Sequence, residues 1–291
     1  MSLASGDLTT LAAAKAYLTN APSDAVISGL ISRVSSQIRS ILNRRLLVPS
    51  TYTQQFSGQN TRQLVLPEYP LLSLSSLVVG GVSVPVAPQV NSVLGFGVPF
   101  GYRFQPWDGR PPGEPAILDL IGFSFRGGFQ NVVVSYSAGY AVQAEAQVVP
   151  AVLGPYTIAP AAPYGSWATD QGVVYAATGL PLVAVGASPA AGQYVPPSPG
   201  GTTPTQTYLF SSADATKPVL LSYGFIPGDL EQAALDLIAE RTALRNRPGL
   251  HSMSLASQET FSFDRSGIPA HVVEMLRPYE SVLPPAMGAP V

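Results

Sequence analysis

The chain has 291 residues, long enough for one large or two modest domains. Lys+Arg 15 against Asp+Glu 17 leaves a net charge of -2, which excludes the clustered basic footprint of tight nucleic-acid binding. Cys 0 excludes disulfides, thiolate metal sites and a cysteine nucleophile. Only 11% of residues are charged, against roughly 25% in soluble domains, so much of the surface is expected to be covered by partners, the alternative being a Ser/Thr-rich polar surface.

Leu8–Leu18 reads as a short helix, with Thr9 or Thr10 as N-cap and Asn20-Ala21-Pro22 as the stop. Ser23 or Asp24 caps a longer helix reaching about Asn43. Its apolar stripe is Ile27, Leu30, Ile31, Val34, Ile38, Ile41 and Leu42. Ser28, Ser35, Ser36 and Arg39 lie off that stripe. Arg44-Arg45 closes the helix, where cations suit the negative end of the dipole.

From Thr51 to Tyr140 the period falls to two. Strands are predicted at Thr51–Phe56, Gln63–Leu66, Leu74–Val79, Val82–Val86, Tyr102–Phe104, Ala116–Phe125 and Asn131–Tyr136. Gly80-Gly81 and Gly127-Gly128 read as hairpin turns, and 105–115 as a Pro/Gly loop around Trp107.

Then the composition shifts. No Lys or Arg occurs between Arg126 and Lys217, and Asp170 is the only charge between Glu145 and Asp214. Strands are predicted at Pro155–Ile158, Gly172–Tyr175, Leu182–Val185, Gln193–Val195, Tyr208–Phe210 and Val219–Tyr223, with a long hairpin loop over 196–207. Beyond them, Asp229 caps a helix to about Asn246. Its stripe is Leu230, Ala233, Ala234, Leu237, Ile238 and Leu244, and Pro248-Gly249 stops it. A Ser-rich extended stretch, 251–263, leads to a last helix over Ala270–Leu276. The tail from Pro278 on contains Pro284, Pro285 and Pro290 and is expected to be extended unless a partner holds it.

One phrase occurs twice. Val132-Val133-Val134-Ser135-Tyr136 and Val219-Leu220-Leu221-Ser222-Tyr223 both read as buried strands ending in Tyr. Only the second runs on into a helix. This predicts a β module over 142–223, spliced into a host domain at the end of a strand. The host is 1–141 with 224–280, and 281–291 forms an extended tail.

Few residues point to chemistry. His251 and His271 lack metal-ligand spacing and are expected at the surface or an interface. Asp264, Glu274 and nearby serines draw a triad around His271 on paper, but no strand–turn–helix elbow supports it. Gly95, Gly97 and Gly101 surround Pro99 with no helix after them, which argues against a phosphate cradle. Asp108, Glu114 and Asp119 are the densest carboxylates before the module, and solvation is the expected role. Arg33, Arg39, Arg44 and Arg45 are expected to form a solvated face. The bare 147–169 stretch is broken by Pro150, Pro155, Pro160 and Pro163, so no membrane helix is expected. The first ten residues carry no basic or apolar leader pattern, and synthesis in the cytoplasm is expected. The reading is a non-enzyme with no cofactor and no metal.

Three features in order resemble the head–tail connector (adaptor) proteins of long-tailed bacteriophages. They are the opening Leu8-Thr9-Thr10-Leu11 through Leu18 with a helix ending Ile41-Leu42-Asn43-Arg44-Arg45; then Leu64-Val65-Leu66-Pro67 with Tyr69-Pro70-Leu71 and Gly80-Gly81; then Val134-Ser135-Tyr136-Ser137-Ala138-Gly139-Tyr140. The ending Leu276-Arg277-Pro278-Tyr279 is also similar. The match covers roughly 1–141 and 224–280. The insertion departs from the family; its Asp170-Gln171-Gly172-Val173, Pro189-Ala190-Ala191-Gly192-Gln193-Tyr194 and Tyr208-Leu209-Phe210 resemble a β module recurring in phage virion proteins.

The resemblance implies an α+β fold: a small helical bundle with an antiparallel β sheet, connector/adaptor-like, plus an inserted all-β sandwich-like module. It implies a virion protein of the neck, a homo-oligomeric ring of about twelve subunits closed by a heterologous interface. The ring would bind below the portal protein, support a downstream neck, stopper or tail protein, and let genomic DNA pass without specific binding. Helices over 23–45 and 229–247 would supply the ring contacts, and the segment from His251 onward the portal contacts. The interaction residues so implied are Arg39, Arg44, Arg45, Arg241, Arg245, Arg277, Pro278 and Tyr279. The alternative is a carbohydrate- or surface-binding virion protein acting through the β module, with Tyr156, Tyr164, Trp167 and Tyr194 stacking on sugars.

Overall fold

A computed structural model describes residues 6–87, 100–104, 110–151, 154–198, 205–245, 252–255, 259–262 and 268–281. Two helices come first, α1 (Leu11–Tyr17) and α2 (Asp24–Leu42). Seven strands follow: β1 (Ser50–Gly58), β2 (Gln63–Val65), β3 (Leu71–Val79), β4 (Val82–Ser83), β5 (Gly101–Phe104), β6 (Ile117–Ile121) and β7 (Gly128–Ala138). Then come β8 (Ala141–Val148), β9 (Thr157–Ile158), β10 (Gly165–Tyr175), β11 (Val183–Ala184), β12 (Gln193–Val195), β13 (Tyr208–Phe210) and β14 (Pro218–Pro227). The chain ends with α3 (Gly228–Arg245), β15 (Ser252–Leu255), β16 (Glu259–Ser262) and α4 (Ala270–Leu276). This is a mixed α+β fold with antiparallel pairing in almost every sheet.

The chain divides into two compact units. One comprises Met1–Asn43 with Val142–Glu280, the other Arg44–Ala141 with Ser281–Val291. The sequence-based division placed the helices with 44–141; here they cluster with 142–227 instead. The reason lies in β14. It does not stop at Tyr223 but runs to Pro227 and straight into α3, so residues 224–227, assigned to the host by the sequence, continue the module's strand. A cut at 223 would pass through a ladder in which Phe225, Ile226 and Pro227 pair with Trp167, Ser166 and Gly165.

In the Arg44–Ala141 unit, one sheet has the order β1-β7-β3-β4 and the other β2-β6-β5. Alternation in β7 buries Val132, Val134, Tyr136 and Ala138, and in β6 buries Leu118 and Leu120. These side chains join Leu66, Leu77 and Phe125 in one core. Each fully buried aliphatic side chain there contributes about 1.5–3 kcal/mol. Gly80-Gly81 turns β3 into β4 as expected, with both glycines at positive φ. Gly127-Gly128 does not join paired strands. It carries the chain from one sheet to the other, and Gly128 pairs with Gly58 of β1.

In the other unit, sheets β10-β14-β8 and β11-β12-β13-β9 face each other. Val173, Val219, Leu221 and Tyr223 from the first meet Ile158, Tyr194, Tyr208 and Phe210 from the second. The module is therefore a small sandwich with its own core. The repeated phrase occupies equivalent places: Val132, Val134 and Tyr136 are buried in the second strand of their sheet, and Val219, Leu221 and Tyr223 in the second strand of theirs.

The helices pack as their stripes predict. α2 buries Ile27, Ile31, Val34, Ile38 and Leu42, while Leu30 and Ile41 are half-buried. Ser35, expected off the stripe, is buried because its hydroxyl accepts the Leu8 N–H at 3.0 Å. Thr10 is the N-cap of α1, accepting from Ala13 N at 3.1 Å. α2 is closed by Asn43 at φ 53, whose N–H reaches Arg39 O and Ser40 O, so Arg44 and Arg45 lie beyond the helix. In α3, Leu244 is half-buried and Thr242 is buried in its place, its hydroxyl on Ile238 O at 2.8 Å.

Candidate functional site

Among the described residues no group of three or more His, Asp or Glu is placed to hold a metal. The acids of residues 142–227 are Glu145, Asp170 and Asp214, and tyrosines engage all three. Asp170 accepts from Tyr194 at 2.6 Å and Tyr208 at 3.1 Å. Trp167 Nε1 donates to the same Tyr208 hydroxyl at 3.1 Å. Asp214, fully buried, accepts from Tyr175 at 2.7 Å, Gly192 N at 3.0 Å and Lys217 Nζ at 2.8 Å. The Tyr223 hydroxyl donates to Glu145, which also accepts from Ala161 N at 3.0 Å. Burial first, then the neighbouring carboxylate, raises the Tyr194 and Tyr223 hydroxyls above their ordinary range. Burial acts against ionised Asp214, but the Lys217, Tyr175 and Gly192 donors outweigh it and hold the carboxyl below its ordinary value. These acids hold the sandwich together.

The aromatics proposed to stack on sugars divide accordingly. Tyr194 is buried in the core, Tyr156 and Trp167 are half-buried against it, and Tyr164 is exposed. One concavity of this unit, about 430 Å³, is lined by Thr10, Ser166, Trp167, Gln206, Thr207 and Glu231. The Glu231 carboxylate accepts from Thr9 Oγ1 at 3.2 Å and from the Ser166 hydroxyl.

The sequence-implied interaction residues do not form one class. Arg44 is buried, not part of a solvated face. Its guanidinium lies 4.2 Å from the Tyr69 ring centroid and 5.2 Å from that of Tyr140, and Nη1 donates to the Tyr140 hydroxyl at 2.9 Å. Nε and Nη2, with Glu68 Oε2 and the Tyr52 hydroxyl, find no hydrogen-bond partner among the described residues. Burial raises the Glu68 carboxyl despite the attraction of Arg44. Burial pushes the Tyr140 hydroxyl up to about 12. Tyr279 is buried too, its hydroxyl on Asp229 at 3.1 Å. Arg44 and Tyr279 are therefore core residues, because each has an aromatic or acidic partner inside its own unit. Arg39 is half-buried with Nε on Ser35 O at 3.4 Å, and Arg241 donates to Gln37 across α2 and α3 at 3.0 Å. Arg45, Arg245, Arg277 and Pro278 are exposed.

His271 Nε2 lies 3.5 Å from Asp236, and Glu274 is exposed. His251, Asp264, Asp108, Gly95 and Gly97 lie outside the described residues. Gly101 is explained by packing: a Cβ there would stand 2.5 Å from Pro85 O and 2.6 Å from Ala87 N.

Sequence reasoning missed a cleft in the Arg44–Ala141 unit. It measures about 940 Å³ and is walled by Phe56, Leu64, Val65, Pro67, Phe125 and Val132. Arg62 and Asp119 also line it. Its one sequence signal was β1, a nine-residue edge strand, Ser50–Gly58, with no charge and no Pro.

Compared with protein-family models and with curated proteins, the chain matches none.

Proposed function

We propose that the chain is a structural connector of a phage neck: a ring subunit that docks on a portal protein, lines a DNA channel and carries the next neck or tail protein. The observation that carries this reading is element order. The quoted motifs fall on α1, the end of α2, β2–β3 and the end of β7, in the order of the connector family, and α3 packs on α2. The chemistry of the described residues supports it. The module's acids are engaged by tyrosines, and the exposed residues of α2 are Ala25, Ser28, Ser32, Ser36 and Ser40 with Asp24 and Arg33 beside them. Small neutral side chains let a second copy approach closely at low desolvation cost. The residues proposed to meet partners are Arg45, Arg245, Arg277 and Pro278, which are exposed.

A second reading rests on the concavity beside Trp167. An indole flanked by hydroxyls, an amide and the Glu231 carboxylate is the composition that holds a neutral sugar. Negative-stain microscopy of the purified chain, alone and mixed with the portal of the same virus, tests the first. Rings or an added layer on the portal are expected. A monomer that ignores the portal, together with glycan binding lost on Trp167→Ala, would replace the first reading by the second.

A further inference from the structure

We propose that the cleft of the Arg44–Ala141 unit seats the chain's own C-terminal segment, residues 282–291. The inference stands apart from the connector reading. Three observations meet at this cleft. Its walls are mainly apolar, with Phe56, Leu64, Val65 and Phe125 facing a space of about 940 Å³. It is bordered by β1 and β2, each an end strand of its sheet, so each has one backbone edge without a neighbouring strand among the described residues. Ser281, the last described residue, donates through Oγ to Pro67 O at 3.2 Å, and Pro67 is part of the cleft wall. The segment that follows therefore begins beside the cleft and within the same unit.

Its composition suits that seat. Val282-Leu283-Pro284-Pro285-Ala286-Met287-Gly288-Ala289-Pro290-Val291 carries no charged side chain. Pro284, Pro285 and Pro290 bias it toward polyproline II, and such segments dock in aromatic-lined grooves with little entropy to lose. Their missing N–H groups disfavour a full strand ladder, so the contacts are apolar packing on Phe56 and Leu64, with carbonyls accepting from Gln63 or Arg62 at the rim. At about 3.1 Å per residue the segment spans about 31 Å, enough to cross the cleft from Pro67.

The absence of cysteine makes a direct test available. In the full chain, the pair Gln63→Cys and Gly288→Cys is compared with Ser83→Cys and Gly288→Cys. Gln63 and Ser83 are both exposed, and Ser83 is on β4, at the opposite end of its sheet from β1. The 63–288 pair is expected to close an intramolecular disulfide at least about tenfold faster than the control pair, because a seated segment raises the effective thiol concentration. Equal rates overturn the proposal. A 63–288 bridge formed only between chains also overturns it and assigns the cleft to a neighbour's tail. As a second measurement, a fluorescent peptide of residues 282–291 should bind the chain truncated after Ser281 and fail to bind the full chain. Equal binding to both, or to neither, overturns the proposal.

Discussion

Two carboxylates with opposite environments set opposite pH dependences. Asp214 is held below its ordinary value of 3.8 by Lys217, Tyr175 and Gly192. Its stabilisation is present above that value and is lost as pH falls through the lowered folded-state value. Asp214→Asn should cost about 1.5–3 kcal/mol at pH 7, the worth of hydrogen bonds to a buried charge. Thermal melts of both proteins should converge toward pH 2; a gap that persists in acid would show that Asp214 acts by packing alone. Glu68 runs the other way. Burial outweighs Arg44 and raises its carboxyl above the ordinary 4.5. Its contribution is complete below 4.5 and is lost as pH rises through the raised folded-state value. Glu68→Gln should therefore gain on the wild type, in melting temperature, as pH climbs from 4 to 7. A constant difference across that range would count against the assignment. Neither sign was readable from the sequence. A Glu in Pro67-Glu68-Tyr69 looks like a loop residue until Arg44 and Tyr52 are brought around it.

At the scale of elements, the pairing of β10 with β14 depends on one glycine. Gly165 sits at φ +158, and a Cβ there would collide with the carbonyl oxygen of Ile226. Gly165→Ala should destabilise the chain by more than about 1 kcal/mol, since the strand has no room to yield. Gly172→Ala, at φ +109 with nothing within 4 Å of its Cβ, isolates the backbone strain. If both variants melt alike, the collision is not the cause. The helices were legible because α2 and α3 repeat their apolar residues at helical spacing, and α4 was predicted at its observed bounds. The strand β8 was not. Ala141–Val148 alternates small, polar and apolar residues with too little contrast to read as a strand, and it forms by pairing with β14.

For the whole molecule, the separation of two of its cores has a direct consequence. The buried residues of one lie within 52–138 and those of the other within 149–223. Residues 44–141, expressed alone, should fold and unfold cooperatively by circular dichroism, because a domain of this size buries enough surface. A fragment of 142–223 should fold poorly beside one of 142–245. The shorter fragment loses the β14 residues that pair with Gly165, Ser166 and Trp167, and the α3 carboxylate Glu231 that holds Ser166. Equal melts for the two would return the boundary to Tyr223.

Local pattern was enough for the α+β class, the helix faces, the Gly80-Gly81 turn and the strand identity of the repeated phrase, because each depends on spacing of three or four residues along the chain. Contacts distant in sequence decided the rest. Arg44 left the surface for Tyr69 and Tyr140, Tyr279 for Asp229, and the three module acids for tyrosines up to 78 residues away. The unit boundary moved with β14, and the cleft arose where the stretch from Phe56 to Pro67 meets Asp119, Phe125 and Val132 from farther along the chain. Burial and pairing are properties of neighbours in space, and periodicity names a residue's face without naming what that face will meet.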